Sequence, residues 1–345
     1  MRAVLVPLEI DPVLPEAGSR PHGLAGTSMG TGWSARMLLP PAFGLALETD
    51  LQAALQQELD EVVAQMSHWD GGSLLSRYNR APAGSWHPLP PRFFAVMDYA
   101  LSVHEDSGGA YDPAAGALVN LWGFGPTGRY DQAGFYAPAG DAVAAVIARR
   151  QGRRPLLDRE GRRLYQPGGA ILDLSSVAKG YAVDCLAQRL EALGVRHYLV
   201  EVGGELRGAG VKADGQPWWV ELEGVPDSAG ATVAQSVVAL HGLAVATSGD
   251  YRRYYQLSMS HHARRRASHT LDPRTGAPID NGVASVTVLA PTCMAADALS
   301  TALTVMGAAV GLRFAEQRGL AARFLLRSDE GLREIDTPAW RALLQ

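Results

Sequence analysis

Apolar residues recur at helical intervals in several stretches of the chain. Between residues 50 and 68, leucine, valine and methionine repeat every three or four positions, which predicts an amphipathic helix. A second helix is predicted over residues 90–109, because Pro91 suits a first helical turn and Gly108 and Gly109 end the pattern. The same periodicity predicts further helices over residues 141–150, 177–194 and 293–307.

Short apolar runs dominate most of the second half of the chain. They predict strands over residues 169–176, 196–202, 204–210, 218–224 and 236–249, with glycine-bearing turns between several of them. Strands that follow one another in this way favour hairpins over a regular strand–helix alternation. We therefore predict an α+β fold with a mainly antiparallel sheet and packed helices, and not a doubly wound parallel sheet.

Three segments lack either period and are predicted to be loops. Residues 68–80, HWDGGSLLSRYNR, connect the first two helices, and residues 126–140 form a connection rich in glycine and proline, where we predict a subdomain boundary. A basic cluster between two strand-like pieces is predicted to be a solvated hairpin tip, with contact to an acidic partner as the alternative. Its members are His261, His262, Arg264, Arg265 and Arg266.

The composition is that of a globular protein. Of the 345 residues, 47% are hydrophobic and 19% are charged, which supplies a core and argues against disorder. The net charge of −4 gives no broad basic surface for nucleic acid, so an anionic ligand would have to be bound locally. Cys185 and Cys293 both fall in apolar helical patterns, which predicts small buried residues and neither a disulfide framework nor a metal site.

The N-terminal residues bear on localisation. In MRAVLVPLEIDPVLPEAG, prolines and acidic residues interrupt the apolar run that an export signal would need, and no cysteine could carry a lipid anchor. No later stretch approaches the roughly 18 uninterrupted apolar residues of a membrane span. We expect a cytoplasmic protein, with the periplasm as the alternative if the recorded start omits an export segment.

The segment ILDLSSVAKGYAVD has the parts of an anion site. Asp173 ends a predicted strand, Ser175 or Ser176 is placed to cap the following helix, and Lys179 lies one turn further on, so that a carboxylate, helix amides and an ammonium group converge. A capped helix with a solvated lysine would give the same pattern. Gly180 favours the site, since glycine inside a helix costs roughly 1 kcal/mol relative to alanine and marks a close approach.

Two further polar segments follow in the second half. In VATSGDYRRYY the strand breaks at Ser248 and Gly249, which suit a phosphate or a sugar hydroxyl, although a turn with Asp250 would look similar. In SHTLDPRTGAPI the residues DPRTG are typical of a turn, and turn formation explains their presence. The polar residues before them are not needed for any local structure. His269 in that segment is either a structural histidine or a catalytic one.

A carboxylate interrupts the apolar helix predicted over residues 293–307. Asp297 and Thr301 are four positions apart and share one face of this helix, with Ser300 adjacent. Oxygen donors without histidine or cysteine suit a hard cation such as Mg²⁺, which keeps water ligands and binds phosphates. The alternative is an ion-paired aspartate near the start of a helix, where the helix dipole favours it.

Eight segments in a fixed order closely resemble the ApbE family of FAD:protein FMN transferases, from about residue 25 to 330. They are GTSMGTGWSARM, MSHWDGGSLLSRYN, SGGAYDPAAGALVNLWGFG, DLSSVAKGYAVD, YLVEVGGELRGAG, VATSGDYRRYY, SHTLDPRTGAPI and SVTVLAPTCMAADALSTALTVMG. The resemblance implies a T-fold-like domain of α+β class over residues 25–335, after an extension at 1–24 and before a tail at 336–345. It also implies a magnesium-dependent enzyme that moves FMN from FAD to a threonine of an acceptor protein and releases AMP.

The resemblance also implies roles for individual residues. FAD contacts are implied at Met29, Trp69, Ala110, Tyr111, Asp112, Asp173, Lys179 and, through its backbone, Leu271. Ser248 is added to these predicted FAD contacts because its hydroxyl suits a phosphate or a sugar hydroxyl. The implied metal ligands are the backbone carbonyl of Ser176 and the side chains of Asp297 and Thr301. The expected catalytic residues are His269, as base or diphosphate contact, and Lys179, which neutralises charge on the diphosphate.

Two other functions fit the same motifs. One is a metal-dependent FAD pyrophosphatase, in which water replaces the threonine hydroxyl and the products are FMN and AMP. The other is a non-catalytic FAD-binding protein, which would keep the pocket without the chemistry. The expected acceptor presents its threonine in an extended segment among small residues, but the sequence names neither that protein nor the oligomeric state.

Overall fold

The structure is a computed structural model that describes residues 3–10, 13–225, 236–258, 264–329 and 331–345. The helices in these ranges are α1 Leu45–Met66, α2 Leu74–Asn79, α3 Pro91–Asp106, α4 Gly116–Leu121, α5 Gly140–Arg150, α6 Ala178–Ala192, α7 Cys293–Gln317 and α8 Pro338–Arg341. The strands are β1 Ala3–Leu5, β2 Arg20–Ser28, β3 Thr31–Leu39, β4 Ser85–Pro88, β5 Leu156–Asp158, β6 Arg163–Gln166, β7 Tyr198–Val202, β8 Glu205–Ala209, β9 Trp218–Glu221, β10 Ser236–Leu240, β11 Leu243–Gly249, β12 Tyr254–Ser258, β13 Arg264–Ser268, β14 Leu271–Asp272, β15 Ala277–Pro278, β16 Val283–Ala290, β17 Ala321–Ser328 and β18 Gly331–Asp336.

An eight-stranded sheet forms the centre of the molecule. Its strand order is β18-β17-β16-β11-β8-β7-β3-β2, and every neighbouring pair is antiparallel. The remaining described strands form small sheets, of which β1-β10-β9 and β4-β6-β5 have three strands. The α+β fold with mainly antiparallel sheet that the sequence predicts is confirmed.

The central sheet is covered on both faces, because its strands alternate between two hydrophobic cores. On one face, Val200 of β7 and Ala244 of β11 pack with apolar residues of α1, α3 and α6, and Val286 of β16 packs with α7. On the other face, Val245 and Leu289 contact a core formed by the β1-β10-β9 sheet and α8. The longer helices α1, α3, α6 and α7 therefore lie on one side of the sheet and the short α8 lies on the other, and the functional residues carried by α6 and α7 are on the side of the longer helices.

The helix α7 is the buried element that carries Asp297. By length and composition it could cross a membrane, but its most apolar window is 56% buried against the protein itself. Gly307 adopts a left-handed backbone with φ of 74° and interrupts the helix. The side chain of Asn281 donates to the carbonyls of Thr304 and Val305, at 2.9 and 3.4 Å, and so satisfies groups that the interruption leaves without helical partners.

The structure corrects three predictions of local structure. Residues 169–176 form no strand and make only an isolated bridge, Ala115 to Ile171. Residues 236–249 are two strands of different sheets, β10 and β11. The predicted loop 68–80 contains the short helix α2, whose N-cap Ser73 accepts a hydrogen bond from the backbone of Ser76.

Other local predictions are confirmed, corrected in part or remain open. Cys185 and Cys293 are free and buried. β12 and β13 pair as a hairpin, but Arg264, Arg265 and Arg266, which the sequence predicts to lie at its tip, belong to β13. Residues 259–263, with His261 and His262, lie outside the described residues. Residues 126–139 lie between α4 and α5 without regular structure. The subdomain boundary there, and the divisions at 1–24 and 336–345, remain predictions.

Candidate functional site

One cavity of about 350 Å³ brings the predicted site residues together. It lies where the β2–β3 turn, the β7–β8 turn and the end of β11 meet the N-terminal parts of α6 and α7. All thirteen residues that the sequence singles out line this cavity: Met29, Trp69, Ala110, Tyr111, Asp112, Asp173, Ser176, Lys179, Ser248, His269, Leu271, Asp297 and Thr301. Segments that are far apart in the chain therefore converge on one site of the size that small ligands use.

The two core helices α6 and α7 are in backbone contact at Gly180. A Cβ atom at that position would lie 2.3 Å from the carbonyl oxygen of Cys293 and 2.8 Å from the Cβ of Asp297. Instead, the Gly180 N–H donates to Oδ2 of Asp297 at 2.9 Å. The glycine that costs stability inside a helix is thus required for the close approach of α7, and it fixes one oxygen of the aspartate.

The start of α7 is also fixed by a second buried aspartate. Asp184, on α6, accepts hydrogen bonds from the backbone N–H groups of Cys293 and Met294 at 3.0 and 2.9 Å. Arg207 donates to the same carboxylate at 2.8 Å. Asp184 therefore caps α7 from a neighbouring helix and sets the position of Asp297 one turn further along.

The oxygen donors around Asp297 fit a hard cation. The Asp297 side chain is only 4% exposed, and no ion-pair partner lies within 4 Å of it among the described residues, so the alternative of an ion-paired aspartate is not what the structure shows. The hydroxyl of Ser248 lies 2.8 Å from that of Thr301 and 3.0 Å from that of Ser300. Burial raises the pKa of Asp297, while Lys179 and the Gly180 N–H oppose that rise.

Asp297 is the only carboxylate among the three predicted ligands of the cation. Within the described residues, no group of three or more histidine, cysteine, aspartate or glutamate side chains could hold a metal ion. Hydroxyl and carbonyl oxygens would have to complete the coordination, together with water or ligand oxygens. That is the mode typical of Mg²⁺ rather than of zinc.

Asp173 forms a buried pair with His68. Its Oδ1 accepts hydrogen bonds from His68 Nδ1 at 3.0 Å and from the backbone and hydroxyl of Ser175 at 2.8 and 2.6 Å. Burial alone would raise the pKa of Asp173, but the charge of His68 and these hydrogen bonds lower it to about 2. The predicted serine cap of α6 is wrong: Val177 is the N-cap residue, and Ser175 instead holds Asp173.

Lys179 is bound to a buried glutamate, Glu205, that the sequence reasoning missed. Lys179 Nζ donates to Oε1 of Glu205, while Oε2 is buried and has no hydrogen-bond partner among the described residues. Burial raises the pKa of Glu205 to about 7; the charge of Lys179 opposes that rise, and Asp297 adds to it. Burial would lower the pKa of Lys179, but the two carboxylates outweigh it and the pKa is raised, so Lys179 is a cation.

His269 is held as a neutral imidazole. Its Nδ1 lies 3.1 Å from the backbone carbonyl of Arg253, and because a carbonyl can only accept, Nδ1 carries the proton. Burial and the nearby charge of Arg253 lower the pKa of His269 to about 4. The Nε2 atom therefore keeps a free electron pair at neutral pH, which is what a general base requires.

Asp112 is held by a cation from α5. Arg150 donates to Oδ2 of Asp112 and also to the carbonyl of Pro273 at 3.2 Å, while the backbone of Ala114 donates to Oδ1 at 2.8 Å. Arg150 thus ties together two walls of the cavity, the loop at 110–115 and the turn that begins at Leu271. Both oxygens of the Asp112 carboxylate therefore already accept hydrogen bonds from the protein in this structure.

The other predicted residues supply surface to the cavity. Met29 has a left-handed backbone with φ of 53°, a strained conformation for a residue with a side chain, at the tip of the β2–β3 turn. Trp69 is about half exposed, with the guanidinium of Arg129 over its ring at 5.7 Å. Tyr111 is buried next to Ala110, and its hydroxyl has no hydrogen-bond partner among the described residues.

Sequence comparison relates the chain to known proteins. The model of the ApbE family matches residues 29–324. The chain is 35% identical to the FAD:protein FMN transferase of Vibrio cholerae over 327 residues, which cover 93% of this chain and 92% of that protein. It is also 35% identical to the FAD:protein FMN transferase of Klebsiella pneumoniae, over 93% of this chain and 89% of the relative.

Structural comparison gives the same result. The apo form of the flavinyl transferase ApbE of Pseudomonas stutzeri matches with a TM-score of 0.83 and 36% sequence identity, over 94% of this chain and 97% of that one. The flavin transferase ApbE of Vibrio cholerae matches with a TM-score of 0.83 and 33% identity, over 94% of this chain and all of the other. The likeness therefore extends over nearly the whole fold, and the range that the family model matches includes every segment that lines the cavity.

Proposed function

This chain belongs to the ApbE family of flavin transferases, and we propose that it transfers FMN from FAD to a threonine hydroxyl of an acceptor protein, with Mg²⁺ as cofactor and AMP as the second product. The observation that carries the proposal is the cavity, in which one cationic lysine, one neutral histidine and a cluster of oxygen donors face the same space. Phosphoryl transfer needs these three components: charge neutralisation, a proton acceptor and a site for a hard cation.

The proposed reaction exchanges one phosphate bond for another. The threonine oxygen attacks the phosphorus of the FMN half of FAD, a phosphoester bond forms, and the bond from that phosphorus to the bridging oxygen breaks. AMP leaves with the electron pair of that bond. His269 accepts the hydroxyl proton at Nε2, since its lowered pKa keeps this atom unprotonated at neutral pH.

Lys179 and Asp297 hold the charges that the reaction requires. Lys179 is a cation inside a largely buried pocket, where its charge acts on the diphosphate more strongly than it would in water. Asp297, Thr301 and the carbonyl of Ser176 would hold the Mg²⁺ ion. When bound, the ion neutralises charge on the diphosphate oxygens. Glu205 keeps Lys179 in place before FAD enters.

Incubation with FAD, Mg²⁺ and an acceptor domain that carries a threonine among small residues tests the proposal. We expect flavin fluorescence on the acceptor after denaturing electrophoresis, with one AMP released for each flavin attached. An acceptor with valine at the threonine position is the control and should stay unlabelled. Free FMN and AMP without labelled acceptor would instead identify a pyrophosphatase, and intact FAD would contradict both enzymatic functions.

Replacement of Arg150 by alanine is expected to raise the KM for FAD by about tenfold with a smaller effect on kcat, since two walls of the cavity lose their common tie. Initial rates at varied FAD concentration measure the two constants separately. Arg149 is the matched control: it lies next to Arg150 on the same helix, is exposed and bonds only the carbonyl of Ala145 in the described structure. An equal loss in both variants would refute the proposed role of Arg150.

A further inference from the structure

The His68–Asp173 pair has a geometry that the proposed reaction does not use. The side chains of His68 and Asp173 are 8% and 10% exposed, and both residues line the cavity. The bond from His68 Nδ1 to Asp173 Oδ1 is the only hydrogen bond of the imidazole in the described part of the chain, because Nε2 is buried without a partner. The ring is therefore held through its contact with Asp173.

Both members of the pair stand on a rigid backbone. The carbonyl of Ser67, next to His68, accepts hydrogen bonds from the hydroxyls of Ser73 and Ser76 at 2.5 and 3.2 Å. On the other side, the Asn79 side chain bonds both the N–H and the carbonyl of Leu172, at 2.7 and 3.0 Å. The two chain segments that carry the imidazole and the carboxylate are thus both held by hydrogen bonds, which fixes the position of one group relative to the other.

Electrostatics favour the ion-paired form of the two side chains over a neutral imidazole beside a carboxylate. Burial would lower the pKa of His68, and the charge of Arg253 acts in the same direction, but the adjacent Asp173 carboxylate outweighs both and the pKa is raised. Among the described residues, the charged groups that act on His68 are Asp173 and Arg253, and Arg129 lies beyond the neighbouring Trp69 ring. The pair therefore has no net charge below the pKa of His68 and a charge of −1 above it.

We propose that His68 is a positioning residue of the FAD site, which in its imidazolium form orients Asp173 and cancels its charge, so that FAD binds more tightly when His68 is protonated. The inference rests on the proposed use of this cavity for FAD. The diphosphate of FAD is anionic, and an uncompensated Asp173 in the same enclosed space would repel it. Affinity for FAD should then be highest below the raised pKa of His68 and fall as the pH rises through it.

The test is FAD affinity as a function of pH, measured by quenching of flavin fluorescence without divalent cations so that no turnover occurs. For the wild type we expect the Kd to rise by about tenfold between pH 6 and pH 9. Glu205 also titrates in this range, but it does so in every variant, so the difference between profiles isolates His68. His269 stays neutral throughout.

Three substitutions separate the possible roles. Asparagine at position 68 keeps an N–H donor near the place of Nδ1 without a titrating charge, so the H68N profile should be flatter and its affinity at pH 6 intermediate. H68A should bind more weakly still, with the pH dependence reduced to the same extent as in H68N. His22→Asn is the matched control, because His22 also lies against a carboxylate, Glu48, at 3.3 Å, but outside the cavity, and it should behave as wild type.

Several outcomes would overturn the inference. One is an H68A profile that keeps the wild-type slope in a protein that unfolds at the wild-type temperature. Another is rescue by H68Q but not by H68N, since glutamine places its amide near Nε2 and would indicate a direct ligand contact. A wild type that transfers flavin but shows no pH-dependent Kd refutes the inference alone, whereas a wild type that does not bind FAD refutes the proposed function with it.

Discussion

Replacement of Asp297 by asparagine is expected to lower flavin transfer by about a thousandfold or more, because the variant loses the only carboxylate among the three proposed ligands of the cation. Asparagine has nearly the same shape and keeps an oxygen that can accept the N–H of Gly180. The contact between α6 and α7 should therefore survive. Transfer to the acceptor at several Mg²⁺ concentrations measures the effect, and thermal unfolding checks the fold.

A matched pair of substitutions on the same helix tests whether the effect belongs to the cation site. Thr301→Val removes the hydroxyl that contacts Ser248, and it should raise the Mg²⁺ concentration needed for half-maximal transfer. Thr304→Val makes the same chemical change three residues later, where the hydroxyl bonds only the Ser300 carbonyl in the described structure. T304V should need no more Mg²⁺ than wild type. Full Mg²⁺-dependent activity in D297N would refute the metal assignment.

The helices could be predicted where a local signal marks at least one end. Pro91 opens α3 and Gly194 follows α6, and these residue types begin and end helices in any context. Strand pairing could not be predicted in the same way. β10 and β11 are separated by only two residues, yet β10 pairs with β1 and β9 while β11 pairs with β8 and β16, so their separation depends on partners far along the chain.

Short elements carry too little periodic signal to be predicted. α2 has six residues, less than two turns, and its one visible signal is the cap residue Ser73. Residues 169–176 have the composition of a strand, but their backbone groups are satisfied by Asn79 and Pro113 instead of by a sheet. Composition alone does not distinguish these two ways of satisfying an extended backbone.

The site residues that could be predicted from the sequence lie in segments with recognisable motifs. The residues that could not be predicted are those that bind and position them. Glu205, His68 and Asp184 act on Lys179, Asp173 and α7 across 26, 105 and 109 residues respectively. The sequence does contain one indication of the importance of Asp184, because this residue, like Asp297, is a carboxylate within an apolar helical pattern. Its partner, the start of α7, could not be read from the sequence because that contact is tertiary.

Lysine usage is a further signal in the sequence. Only two of the 31 basic residues are lysines, Lys179 and Lys212. Lysine carries a compact charge, whereas the larger planar guanidinium of arginine would have to fit beside Glu205 in an enclosed space. A lysine at a partly buried position of a chain that otherwise uses arginine therefore indicates a requirement of the site.

Replacement of Lys179 by methionine is expected to lower kcat by about a hundredfold to a thousandfold, the usual effect of removing one preorganised charge from a phosphoryl or acyl transfer site. The fold should tolerate the change. Without the lysine the pKa of Glu205 rises further, since the charge of Lys179 is what opposes the effect of burial. Glu205 would then be protonated and neutral at pH 7, so no buried charge is left unpaired.

Glu205 should act on the reaction only through Lys179. Glu205→Gln alone is expected to lower kcat by about tenfold, because Lys179 keeps its charge but loses the negative charge of the partner that positions it. The double variant should be no slower than K179M, since the residue through which Glu205 acts is already absent. Lys212→Met, at an exposed lysine 3.8 Å from Asp214, is the control and should retain full activity. Independent, multiplicative losses in the double variant would show that Glu205 has a separate role in the chemistry.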